Sequence, residues 1–217
     1  MEIPLFPLRS VLFPGMTLPL RIFEERYRVM VRELLESGGM FGVVLIKEGE
    51  EVGGGAIPHN VGTMAVIDQC EEVEGGRFVL TAKGRQRFRL LEMLPPRPYP
   101  YGIVAPIEGT EPGNARRLER ALETVRATFP AYFRLALSLT DQWAKGLQLP
   151  AGPHELVDFL GPWLQVDEEV KQRLLEIETA SERVAYLAEV LDDLLGRTTV
   201  EVTEYRRRKF AGLGAQN

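Results

Sequence analysis

The sequence predicts an α+β protein: a β-rich, partly closed barrel with one inserted helix over residues 1–109, followed by a helical bundle over residues 110–217. Three observations lead there. Residues 1–109 hold ten of the 15 prolines and fourteen of the 21 glycines, a density that breaks long helices and marks turns. Residues 110–217 carry apolar side chains at helical spacing. The polar, turn-rich stretch Gly109-Thr110-Glu111-Pro112-Gly113 separates the two halves.

Within the first half, Ile3–Leu8 and Met16–Leu20 are short apolar segments bounded by proline, with Pro14-Gly15 as the turn between them. A helix follows. Phe23, Tyr27, Met30, Val31, Leu34 and Leu35 share a face, and Gly38-Gly39 ends it. The unbroken apolar run from Phe41 to Ile46 reads as a buried strand. Residues 61–70 and 77–82 are further strands, and Gly75-Gly76 supplies the positive φ of a tight hairpin turn. Lys83-Gly84 is read as a second tight turn. After it Arg87, Phe88, Arg89 and Leu90 alternate, giving one wet face. Tyr101–Ile107 is the last strand. Short strands, two hairpins and one helix fit a partly closed barrel.

In the second half, Leu118, Leu122, Val125 and Phe129 form a stripe that Pro130 is expected to interrupt. Leu156, Phe159, Leu160, Trp163 and Leu164 form another stripe, followed by Val170, Leu174 and Ile177. Thr179 and Glu182 have capping-box spacing and open a helix carrying Val184, Leu187, Leu191, Leu194 and Leu195. Helices joined by short connections pack antiparallel as a rule, so a small bundle is expected.

The chain of 217 residues is 45% hydrophobic and 26% charged, with a net charge of -5. That charge supplies no broad basic field for phosphates, so nucleic acid is a disfavoured partner. A single cysteine, Cys70, excludes an intramolecular disulfide and fits a reducing compartment. The start, MEIPLFPLRSVLFPG, lacks a basic n-region and an unbroken apolar core, so it is not read as a signal peptide. No stretch is long and apolar enough to span a bilayer. A soluble, cytoplasmic protein is expected.

Motifs for catalysis are missing. There is no Gly-x-x-x-x-Gly-Lys-Ser/Thr to cradle phosphates, and no Gly-x-Gly-x-x-Gly follows the run Gly53-Gly54-Gly55. None of Ser10, Ser37, Ser138 and Ser181 lies in Gly-x-Ser-x-Gly. His154-Glu155-x-x-Asp158 departs from the zinc motif at its second ligand, and the reading preferred is a helix start with acids at its positive end. Cys70 has no partner for a thiolate site. The acid pairs Glu50-Glu51, Glu71-Glu72 and Asp192-Asp193 read as solvated surface. No catalytic residue, cofactor or metal is expected.

Basic residues gather in two places. Arg206-Arg207-Arg208-Lys209 reads as a solvated terminal helix. Arg85, Arg87 and Arg89 form a strand-borne row that would serve as a basic patch if it shared one surface.

Ordered blocks along the first half carry a resemblance. Ile3-Pro-Leu-Phe-Pro-Leu-Arg9 and Val11-Leu-Phe-Pro-Gly-Met16 are followed by Leu18-Pro-Leu20 and Ile22-Phe-Glu-Glu-Arg-Tyr27. Then come Phe41-Gly-Val-Val44, Val61-Gly-Thr63, the run GRQRFRLLE from Gly84 to Glu92, and Tyr99-Pro-Tyr-Gly102. Together they resemble the N-terminal domain of the Lon protease family over residues 1–108. Glu155-Leu-Val157 and Lys171–Glu176 extend the likeness more loosely.

The resemblance implies a PUA-like β pseudo-barrel followed by a helical bundle. It also implies a stand-alone recognition module, because the sequence to Asn217 shows neither the family's ATPase motif nor its serine–lysine protease block. The expected partners are polypeptide clients, unfolded or with exposed apolar segments, or a protease or chaperone partner. RNA binding through the barrel is the alternative. Interfaces favour aromatic, Met and Arg anchors, which makes Met40, Phe41, Tyr99, Tyr101, Tyr132, Phe133 and Trp143 the peptide-binding candidates.

Overall fold

The structure, a computed structural model, describes residues 1–109, 113–140, 142 and 147–211. Among the described residues it is a mixed α+β fold with a six-stranded sheet and five α-helices. The chain divides into two compact units. The first comprises Met1–Gly109, Asp158–Pro162 and Val166–Glu176. The second comprises Thr110–Val157, Trp163–Gln165 and Ile177–Asn217.

The first unit is built on β1 (Glu2–Leu8), β2 (Thr17–Ile22), β3 (Phe41–Glu48), β4 (Ile57–Val73), β5 (Arg77–Leu94) and β6 (Tyr101–Pro106). Their order is β2-β5-β4-β3-β1-β6, and β6 pairs again with β5. The pairings of β5, β4, β3, β1 and β6 therefore close on themselves, which removes edges that would otherwise template unwanted pairing. β1 and β3 run parallel, Leu5 opposite Gly42 and Leu8 opposite Leu45. Parallel neighbours need a crossover, and helix α1 (Glu25–Ser37) lies within it.

Both faces of the sheet are covered, which explains the unbroken apolar run in β3. Ile3, Leu5 and Val44 join Met64, Phe88, Leu90 and Val104 on one side. Phe6, Leu8 and Val43 join Tyr27, Met30, Val31 and Leu34 of α1 on the other. The rings of Phe6 and Tyr27 meet edge-on at 4.4 Å. Gly38 ends α1 in the left-handed conformation, its N–H donating to Leu34 O. The expected helical face is narrower than the spacing implied. Phe23 precedes the helix and is 58% exposed, and Leu35 is exposed as well.

The turn expected at Lys83-Gly84 is not there. β5 runs on through it, with Met64 opposite Gln86 and Ala65 opposite Gly84, so Arg85 bulges from the ladder. Gly84 serves close approach instead. A Cβ there would lie 2.4 Å from the Phe13 carbonyl oxygen, and Gly84 exchanges backbone hydrogen bonds with Gly15 and Met16 at 2.9 Å. Glycine is selected here because a neighbouring backbone occupies the side-chain position.

Helix α4 (Glu168–Glu176), given by the periodicity as part of the helical half, belongs to this first unit. Periodicity shows that a segment is helical but not which core it joins. Buried Gln172 donates to Val61 O of β4 at 3.0 Å, and Glu168 accepts from the Val11 N–H at 2.6 Å. His59 of β4 stands between Glu169 and Glu176, its two ring nitrogens 3.4 and 3.3 Å from their carboxylates.

In the second unit, α2 (Ala115–Leu139) passes straight through Pro130. The ring removes one N–H, yet Phe129 and Tyr132 beside it are fully buried, and that packing holds the helix together. α5 (Ala180–Ala211) opens where the capping pattern places it: Thr179 donates to Glu182 at 2.9 Å and accepts the Arg183 N–H at its carbonyl. α2 and α5 run alongside each other in the same direction. Their starts meet where the Asn114 N–H donates to Ser181 Oγ at 3.0 Å, and Tyr132 further along feels the charge of Arg197. This pair is parallel, not antiparallel, because helical turns far longer than a short loop separate them in sequence. The chain passes from one unit to the other within α3 (Pro153–Leu160), and a 3-10 turn (Gly161–Trp163) follows.

Candidate functional site

Alternation along β5 aims Arg87 and Arg89 to one side and Phe88 and Leu90 to the other. That side is not uniformly wet. Arg87 is only 4% exposed, and its guanidinium donates to Leu175 O of α4 at 2.7 Å. Arg85, on the bulge, and Arg89 remain exposed. The row Arg85, Arg87 and Arg89 therefore does not form one basic surface. Its middle member closes the first unit, and a buried guanidinium is tolerable because it is hydrogen-bonded. Phe88 needs room at the other face: a Cβ on Gly42 or Gly62 would come within 2.6 or 2.9 Å of its ring.

The aromatic candidates of the first unit fall into two groups. Phe41 and Tyr99 are buried core residues, while Tyr101 is half-buried and Met40 is exposed. Tyr99 and Tyr101 stack at 4.7 Å. The Tyr101 hydroxyl donates to that of Tyr99, which donates to the Glu33 carboxylate of α1. Burial, then the hydrogen bond to Glu33, pushes the Tyr99 phenol far above its usual range. This chain of hydroxyls ties β6 and the preceding loop to α1 and so has a structural role.

In the second unit, Tyr132 is buried and Phe133 half-buried; Trp143 lies outside the described residues. Phe133 stacks on Phe129 at 5.5 Å and meets the Trp163 ring edge-on at 5.3 Å. The indole of Trp163 is 50% exposed. Beneath it, the Tyr132 hydroxyl donates to Trp163 O at 3.1 Å and accepts from the Gln165 N–H at 3.0 Å. Burial pushes the Tyr132 phenol upward, partly opposed by that Gln165 bond. The result is an aromatic ledge, held from below and open to water on one side. Helical spacing had assigned Trp163 and Phe159 to a packed stripe, but both are exposed. A large side chain placed directly after Pro162, in a tight turn, was the available signal that Trp163 leaves the helical face.

Conventional catalytic geometry is not evident in this set. Among the described residues no three His, Cys, Asp or Glu gather closely enough to hold a metal ion. Cys70 is half-buried, and burial, then Glu72, raises its thiol above the usual value, away from the reactive thiolate. His154 lies 3.4 Å from the guanidinium of Arg183. No described helix is long and apolar enough to cross a membrane.

The fold defines a domain of mixed α+β class. Residues 2–193 match the family described as the ATP-dependent protease La (LON) substrate-binding domain, and the chain belongs to that family. The matched domain is the substrate-binding one, not a catalytic one. Relatives include the Lon protease of Xanthomonas oryzae pv. oryzae, 25% identical over 210 residues, covering 96% of this chain and 24% of that protein. The Lon protease of Syntrophus aciditrophicus is 24% identical over 198 residues, covering 89% and 25%. The chain thus spans about a quarter of the length of these curated relatives.

Among solved structures, a Lon N-terminal domain protein from Xanthomonas campestris is 27% identical with a TM-score of 0.60, covering 86% of this chain and 96% of that one. The N-terminal domain of the Mycobacterium avium complex Lon protease shares the fold, with a TM-score of 0.61 at 17% identity over 90% of this chain and 98% of that one.

Proposed function

We propose that the protein is a non-catalytic recognition module that holds polypeptide segments, unfolded or with exposed apolar side chains, and works in the cytoplasm beside a protease or chaperone partner. The family match over residues 2–193 carries this reading. The closed ring of strands supports a PUA-like pseudo-barrel for the first unit, and the helical unit supports a bundle. The Phe133–Trp163 ledge is the proposed contact, because a rigid, half-exposed aromatic pair offers apolar area at little cost in side-chain freedom. Met40 and Tyr101 are secondary candidates on the first unit. The RNA alternative gains nothing from the arginine row, since Arg87 is turned inward.

Titrating a fluorescently labelled, chemically unfolded polypeptide into the purified protein tests the reading. Saturable binding at tens of micromolar or tighter is expected, weakened about tenfold by Trp163→Ala, the loss of roughly 1.4 kcal/mol. Absence of saturable binding to the unmutated protein would sink it.

A further inference from the structure

Beside the starts of α2 and α5 lies a cavity of about 490 Å³, wholly within the second unit. Arg116, Arg117 and Arg120 line it from α2, and the small buried side chains Ala121, Ala185 and Ala188 supply its apolar part. Asn114 and Thr124 complete the lining, and no Asp or Glu belongs to it. Among the described residues none of the three guanidinium groups has an acidic partner.

This charge is placed against the helix's own preference. The N-terminal end of a helix is positive and favours acids in its first turn. The first turn of α2 holds no acid and carries Arg116 and Arg117 instead. The parallel course of α5 lays Ala185 and Ala188 along the same cavity, while its one first-turn acid, Glu182, lies outside the lining and accepts from Thr179. Three cations and the start of α2 meet at one cavity whose lining holds no acid, so the lining is short of negative charge. Local rules broken in this way, with no acidic partner among the described residues, point to a ligand that supplies it.

We propose that this cavity docks acidic polypeptide segments. The inference rests on the reading of the protein as a polypeptide-recognition module and names a class of segment it would take. Guanidinium forks match carboxylates in geometry and charge. The alanine floor suits the methylene stems of Glu or an aliphatic neighbour. A phosphate polymer has the matching charge, but it binds through a broad basic field, and this chain carries a net charge of -5.

The test uses the full chain and a labelled glutamate-rich peptide. A single-stranded oligonucleotide of equal charge and an apolar peptide without acids are compared with it. The glutamate-rich peptide is expected to bind saturably, at least about tenfold tighter than the oligonucleotide, and more weakly as salt rises. Arg117→Glu and Arg120→Glu should each weaken it about tenfold. Each places an acid near a helix start, so thermal stability should hold or rise; a merely structural role for these arginines would lower it. The apolar peptide should bind both variants as it binds the unmutated protein. Tighter binding of the oligonucleotide, or variants that bind the acidic peptide normally, would overturn the proposal. Failure of the acidic peptide alone, with the apolar peptide still bound, removes this inference and leaves the general reading standing. Failure of both peptides removes the general reading as well.

Discussion

The two units differ in what they do with polar and aromatic side chains. The first buries three polar side chains against backbone carbonyls: Thr63 donates to Leu12 O at 2.6 Å, Arg87 to Leu175 O, and Gln172 to Val61 O. Each such tie adds only about 0.5–1.5 kcal/mol net, or somewhat more for a charged donor, but leaving its partner unmade would cost more. The second also buries Ser181, Arg183 and Thr198, but it leaves Trp163 and the three arginines at the start of α2 facing water. A sheet pinned by buried hydrogen bonds is a scaffold, and helices with unpaired charge and exposed rings are a surface. On the proposed reading recognition falls to the helical unit, although the ordered sequence blocks that carry the family resemblance lie in the sheet.

The most severe way to break the comparison is Phe88→Ala. Phe88 is fully buried and pressed against Gly42 and Gly62, so its loss should cost the first unit about 3–5 kcal/mol. Hydrogen exchange should show protection falling across β1–β6 while α2 and α5 keep theirs; equal loss in both would mean that the units do not hold their stability separately.

Alkali is the next probe. Burial first, with Arg26 opposing it, raises the Tyr27 phenol from 10.0 to about 12. Below pH 10 the folded and unfolded forms both keep this proton, and the contribution to stability is fully present. From there the unfolded form loses its proton first, so stability falls by roughly 2–3 kcal/mol as pH rises towards the folded value. Denaturant melts across that interval should show the decline, and Tyr27→Phe should flatten it.

The smallest effect sharpens the contrast. Trp163→Ala, the variant that should impair polypeptide binding, should change stability by less than about 0.5–1 kcal/mol, because half of the ring already lies in water. A large fall in melting temperature would make the ledge part of the core.

Sequence pattern found the elements where one local rule acted alone. α1 ends at Gly38, the hairpin turns at Gly75-Gly76 with positive φ at both, and α5 starts at the Thr179–Glu182 pair. It erred where a residue answered to a distant part of the chain. Gly84 is a glycine because of the Phe13 backbone and not because of a turn. Pro130 sits within α2 because Phe129 and Tyr132 bury on either side of it. Arg87 is cationic yet interior because Leu175, far along the chain, presents a carbonyl to it. The candidate site was legible only in part. Phe133 was named for its residue type, but Trp163 and the arginines of α2 take their meaning from what stands beside them in space.

The pairing of Phe13 with residue 161 has a consequence for how the molecule is made. A Cβ at Gly161 would come within 2.5 Å of the Phe13 ring, so a segment made late packs directly on one made about 150 residues earlier. A nascent chain that has released only its first 109 residues lacks the carbonyl that takes up Arg87 and the helix whose glutamine reaches Val61. Both apolar clusters of the sheet are complete within those residues, so what the late segment supplies is the partners of Arg87 and of the Val61 carbonyl.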